Sequence, residues 1–208
     1  MVLFTSGETR LIRTLDTPEK VQRWLRALAY NRETRGETLR TFRVVRRLGR
    51  AHCLEGALAA ATILEAHGYP PLLLDMESQD RLDHVAFLFR DNGRYGTVAK
   101  SRDPGLDGRK PFFLDIKSLV QSYFEPYIDQ TGKITAYAVY NLEDLRGVDW
   151  QTSERNVWKV ERTLLEIPHR RLVTSMARYE RAHRRFLAYR RRFPDRMPVY
   201  FRNRHQWW

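Results

Sequence analysis

The chain has one cysteine, Cys53, in 208 residues. An internal disulfide is therefore excluded. With neither a CxxC pair nor a His/Cys cluster at zinc spacing, a structural metal has no support in the sequence either. No apolar run approaches the ~20 residues needed to cross a bilayer, and the stretch MVLFTSGETRLIR has no long hydrophobic region of the signal-peptide kind. The expectation is a cytoplasmic protein without a membrane span. Acidic residues are scarce in one place: from His169 to Trp208 only Glu180 and Asp195 stand against twelve arginines, and lysine is absent. That segment carries +10 of the formal +12, so the preceding body is close to neutral.

Apolar residues make up 42% of the chain, which is enough to build a sizeable core and excludes a disordered protein. The division expected is a body over 1–168 and an arginine-rich helical extension over 169–208, packed on it or appended to it. In that extension Arg184, Arg185, Arg190, Arg191 and Arg192 surround Tyr179, Phe186 and Tyr189. Such a surface suits an acidic partner or nucleic acid, though the same aromatics also fit the core-facing stripe of an amphipathic helix.

Helices are expected from Thr17 to Tyr30, where Thr17 caps and Pro18 opens, and around Leu39 to Leu48 before Gly49. CLEGALAAATILEA, from Cys53 to Ala66, is apolar almost all round and reads as a central helix ended by Gly68. Leu72 to Leu74 fits a buried strand. HVAFLF from His84, the turn Asp91-Asn92-Gly93 and YGTVA from Tyr95 form the clearest hairpin. Leu119 to Tyr127 reads as a helix and Ile134 to Tyr140 as another strand, giving at least four strands. A helix around Trp158 to Ile167 and a last one from Arg171 to Phe193 follow. The closing PVYFRNRHQWW leaves its aromatics exposed unless it docks back.

Cys53 and His84 are the chemical pair. A thiolate is the reactive form of cysteine, and a helix N-terminus together with an imidazolium lowers a thiol pKa into the useful range. A lone cysteine more often packs as a small hydrophobe, but the first turn beside Arg50 and His52 is where a reactive group belongs. His52 and Cys53 are neighbours, yet two adjacent residues alone do not make a metal site.

A helix headed by cysteine, a strand, a strand led by histidine, a hairpin and a strand follow each other in an order that resembles the transglutaminase-like superfamily, a branch of the papain-like cysteine fold. AHCLEGALAAATILEAHGYPPLLLDM and DHVAFLFRDNGRYGTVAKS carry the resemblance, over roughly Leu48 to Ser101; KSRDPGL and DWQTSERNVWKVERTL extend it more loosely to uncharacterised bacterial proteins of that type. The resemblance implies an α+β fold with the Cys-bearing helix packed on a small antiparallel sheet and flanked by helices. It implies acyl transfer on an amide- or ester-bearing peptide or protein, without a cofactor: Cys53 attacks and His84 moves the proton. The aspartate that completes the family's triad falls here at Lys100 and Ser101, neither of which is a carboxylate. Ser101 or the slightly later Asp103 is left to orient His84, with Asp83 and Asp115 as outside choices. The alternative is an inactive scaffold that binds a polyanion or protein through its basic end.

Overall fold

A computed structural model describes residues 3–208. α1 (Ser6–Thr14) opens with a capping box in which Glu8 accepts from the Thr5 N–H at 2.7 Å, a T-x-x-E signature that the sequence reading passed over. α2 (Pro18–Ala27) starts at Thr17 and Pro18 as expected. β1 (Ala29–Tyr30) and β2 (Arg50–Ala51) form a two-stranded parallel pair, with α3 (Phe42–Leu48) between them closed by Gly49 at φ 64°. This pair brings Tyr30 beside the start of α4 (Cys53–Glu65), because Ala51, its register partner, is two residues before Cys53.

From Leu54 to Leu64 every residue of α4 is buried. Its alanines and Gly56 allow this, since a Cβ at Gly56 would stand 2.6 Å from the Cβ of Lys100. β3 (Leu72–Ser78), β4 (His84–Asp91), β5 (Arg94–Val98) and β6 (Arg109–Phe113) follow, then α5 (Ile116–Tyr123) and β7 (Ile134–Asn141). The β4–β5 hairpin turns through Asn92 and Gly93, both at positive φ, as a right-twisted two-residue turn requires. α6 (Trp158–Glu166), β8 (Arg170–Arg171) and α7 (Met176–Arg192) complete the chain.

The fold is mixed α+β. Among the described residues it has seven α-helices and one six-stranded antiparallel sheet in the order β6-β5-β4-β3-β7-β8, beside the small parallel pair. One sheet face, with Leu73, Val85, Phe87 and Val98, packs against α4; the other, with Leu74, Met76 and Tyr137, joins Leu119, Val120 and Tyr123 of α5. β3 lies between β4 and β7, and its alternate side chains face α4 on one side of the sheet and α5 on the other.

The basic end differs from the expectation at its start. Arg170 and Arg171 are extended and pair with Tyr137 and Ala136, and the last helix begins only at Met176, capped by Ser175. α7 lays Phe186 on Phe124 and Ile128. The chain then returns across the body: Trp208 donates its indole N–H to the Thr97 carbonyl at 2.9 Å and stacks on Phe89. Among the described residues no helix is long and apolar enough to cross a membrane.

Candidate active site

Cys53 is the first residue of α4 and is partly exposed. First-turn N–H groups have no partner within a helix, and the helix dipole makes this end favourable for an anion. His84, buried at the head of β4, and His52, the N-cap residue directly before Cys53, line the cleft on either side of the sulfur, and both rings act on the thiol. Burial alone pushes the thiol pKa up. Hydrogen bonds from His52 and His84, then their charges, more than offset it and bring the thiol down to about 5.

The two rings are held differently. His84 Nε2 lies 2.8 Å from the Leu106 carbonyl oxygen. A carbonyl only accepts, so this nitrogen carries hydrogen and Nδ1 is left to face the thiol. His52 Nε2 lies 2.9 Å from the Thr38 carbonyl, with Glu33 Oε1 at 3.8 Å and Glu55 Oε1 at 3.7 Å. Glu55 also accepts from the His52 backbone N–H at 3.1 Å, which fixes the ring's backbone to the helix end. Burial lowers the His52 pKa, but the thiolate and Glu55 outweigh it and hold the ring up at about 9.

The residues expected to orient His84 do so only indirectly. Neither Ser101 nor Asp103 hydrogen-bonds its ring; the group that does is the main-chain carbonyl of Leu106. Ser101 Oγ accepts from the Asp103 N–H at 3.0 Å, and Asp103 Oδ1 accepts from the Gly105 N–H at 2.9 Å, capping the short 3₁₀ turn Pro104–Leu106. Both residues thus shape the turn that offers the carbonyl. Asp83 is engaged elsewhere, accepting from the Ser78 N–H at 2.7 Å, and Asp115 caps α5 through Ser118. Lys100, where the transglutaminase-like resemblance leads one to expect an aspartate, turns away and donates to the Leu28 and Arg26 carbonyls at the end of α2.

The turn is fixed from behind by Arg109, a fully buried residue. Its guanidinium donates to the Gly105 and Asp107 carbonyls at 2.7 Å each and to Ser122 Oγ at 3.1 Å. It lies over the rings of Tyr123 at 3.8 Å and Trp207 at 4.9 Å. Gln22, also fully buried, closes the other side by bonding both the N–H and the carbonyl of Ala99 and the Gly108 N–H.

Two depressions meet at the sulfur. One, of about 490 Å³, holds His84, Ser101, Arg102 and Asp103 and is walled by Tyr127, Phe186 and Pro198. The other, of about 370 Å³, holds His52, Glu33, Glu37, Asp75 and Trp158. Cys53, Tyr30, Leu82 and Asp83 line both. Tyr30 was not among the residues singled out from sequence; burial first, and then the nearby thiolate, push its hydroxyl up to about 12, so it remains an O–H donor. Among the described residues no cluster of three or more His, Cys, Asp or Glu forms a metal site. No protein-family model matches the chain, and no curated protein sequence does so either.

Proposed function

We propose that the protein is a cysteine-dependent acyl-transfer enzyme of the transglutaminase-like, papain-like kind, in which Cys53 is the nucleophile and His84 the general base. One observation carries this reading: the partly exposed thiol at a helix N-terminus lies within reach of two imidazoles and is drawn down to about 5. The succession of Cys-headed helix, strand, His-headed strand and hairpin supports it further.

In this mechanism the Cys53 sulfur attacks the carbonyl carbon of an amide or ester. The oxyanion that forms is met by the Cys53 backbone N–H and by the hydroxyl of Tyr30, which lines the cleft together with Cys53. Collapse breaks the bond to the leaving group, which departs with the proton that the thiol gave up to the neighbouring imidazole, and leaves a thioester. A water or an amine then attacks while His84 Nδ1 takes its proton, and the thiolate is released. The Leu106 carbonyl holds the ring in the required tautomer, the task a carboxylate performs in a triad. Water as acceptor gives hydrolysis and an amine gives a crosslink, so the same residues serve either outcome.

The test is a chromogenic ester followed by mass spectrometry. The wild type is expected to accumulate an acyl group on the Cys53 peptide, removable by hydroxylamine, and Cys53→Ala to lose turnover. Equal turnover by Cys53→Ala overturns the proposal.

A second reading is favoured by the basic end. Arg181, Arg191 and Arg192 of α7 are exposed without an acidic partner, whereas Arg184 and Arg185 reach Glu180 and Glu125 at 3.9 and 3.7 Å. A polyanion bound there is expected to dissociate steeply as salt rises, and binding indifferent to salt contradicts this reading.

A further inference from the structure

We infer that His52 is a second catalytic histidine: in the resting protein it holds the proton of the Cys53 thiol, and the lone pair on His84 Nδ1 is thereby kept for the acceptor. The inference deepens the acyl-transfer reading and rests on it for its catalytic meaning, while its test needs no substrate.

The argument starts from what surrounds each ring. His84 Nε2 has one hydrogen-bond partner, the neutral Leu106 carbonyl, and Asp103 in the same depression is turned to the Gly105 N–H and not to the ring. His52 has a carbonyl and two carboxylates, Glu33 and Glu55, within 4 Å of Nε2. Opposite charge at that range favours the protonated ring. Of the two imidazoles beside the sulfur, His52 is therefore the one that stabilises a positive charge. The step is a single transfer: the S–H bond breaks, an N–H bond forms on the His52 ring, and the electron pair stays on sulfur.

The loop that supplies these groups is built for the purpose at some conformational cost. Glu33 stands at φ 54°, the left-handed region, which a non-glycine residue adopts at a conformational cost. Its carboxylate is tied by the Thr38 N–H at 2.7 Å, so Glu33 and the Thr38 carbonyl are presented to His52 as one unit. Asn31 and Thr38 donate to Glu55 at 3.1 and 2.8 Å, fixing the second carboxylate. Among the other titratable groups, Arg40 opposes a charged ring, since its Nε lies 3.7 Å from the same Glu55 Oε1 that faces His52, while Tyr30 on β1 keeps its proton. Across the depression stand Glu37, Asp75, Asp83 and Glu161 against Arg81, a balance that also favours a cation.

Position separates the two rings as well. His52 lines the 370 Å³ depression and not the 490 Å³ one, and His84 the reverse. The sulfur thus has one histidine on each side. This is the arrangement expected if one ring stabilises the thiolate while the other meets an incoming acceptor.

The experiment is alkylation of the full chain by iodoacetamide across pH, for the wild type, His52→Gln and His84→Gln, each checked for folding by circular dichroism. His52→Gln is expected to move the midpoint upward and slow alkylation at pH 6 about tenfold or more, because the thiolate fraction sets the rate. His84→Gln is expected to move it less. An equal or larger shift in His84→Gln, or an unmoved midpoint in His52→Gln, overturns the inference. Should His52→Gln fail to fold, ring NMR of the wild type decides: a charged His52 at pH 7 supports the inference and a neutral one overturns it. A wild type that alkylates through a low midpoint set by His52 but forms no acyl-enzyme supports this inference while removing the acyl-transfer reading, so the two can fail separately.

Discussion

At the scale of single residues, the site is a contest over one proton. Burial opposes the thiolate, and a helix terminus with two imidazoles favours it; the second group of effects prevails and the thiol falls to about 5. In the proposed mechanism Tyr30 contributes only when charge develops on the substrate oxygen. Tyr30→Phe is therefore expected to lower kcat about 100-fold, as loss of one oxyanion donor does, with no shift in the alkylation midpoint; a shifted midpoint or unchanged kcat refutes its role. Cys53 and His84 were legible in the sequence because their side chains carry the chemistry and their elements have clear periodicity. The group that holds the His84 ring was not: it is the carbonyl of Leu106, and a main-chain acceptor has no residue signature. His52 was visible as a neighbour, but its partners arrive from Glu33 and Thr38, on a loop whose return the sequence does not specify.

At the scale of elements, the decisive piece is the stretch from Ala99 to Arg109 that leaves β5, presents Leu106 and re-enters the sheet as β6. The apolar helix α4 and the Asn-Gly hairpin follow from short-range pattern, and both formed as read. The stretch from Ala99 to Arg109 instead depends on Gln22, Arg109 and Trp208, far apart in sequence, so no local pattern encodes it. Arg109→Met leaves the Gly105 carbonyl without a donor and the Asp107 carbonyl with the Tyr123 hydroxyl alone, and at 1–3 kcal/mol for a buried unsatisfied group a loss of about 1–3 kcal/mol in urea unfolding is expected. A loss below about 1 kcal/mol means that the turn is held by other contacts. Gly56→Ala drives a methyl into Lys100, whose Cβ lies 2.6 Å from the added carbon, and overpacking of this kind costs about 1–3 kcal/mol. An unchanged melting temperature contradicts that packing.

At the scale of the molecule, the carboxyl-terminal residues belong to the site's architecture. Phe186 and Pro198 wall the His84 side of the cleft, while Trp207 and Trp208 close over Arg109 and Thr97. His169, at the start of this region, meets Asp75 at 3.1 Å, and burial pushes that carboxyl up to about 6 despite the contact. Trp208→Ala is expected to destabilise the fold by about 3 kcal/mol or more, through lost ring burial and a lone Thr97 carbonyl; thermal unfolding reads this, and no change excludes docking of the end. The pH dependence of stability follows from the same groups. Cys53, lowered from 9.0 to about 5, binds fewer protons folded than unfolded in that window, so its contribution grows as pH rises through it. His52, raised from 6.5 to about 9, contributes fully below 6.5 and loses that contribution towards 9. The two oppose each other from 6.5 to 9. Between pH 5 and 6.5 the cysteine acts without that opposition, and the wild type should gain up to about 2 kcal/mol over Cys53→Ser. Parallel stability profiles across that interval contradict the ion pair.

The claim on which the rest depends is that Cys53 is already a thiolate at neutral pH. Its ultraviolet thiolate absorbance, titrated in the folded protein with Cys53→Ala as blank, measures this directly. The account predicts a single step with a midpoint near 5; a step near 8.5, the value of a free cysteine, contradicts it.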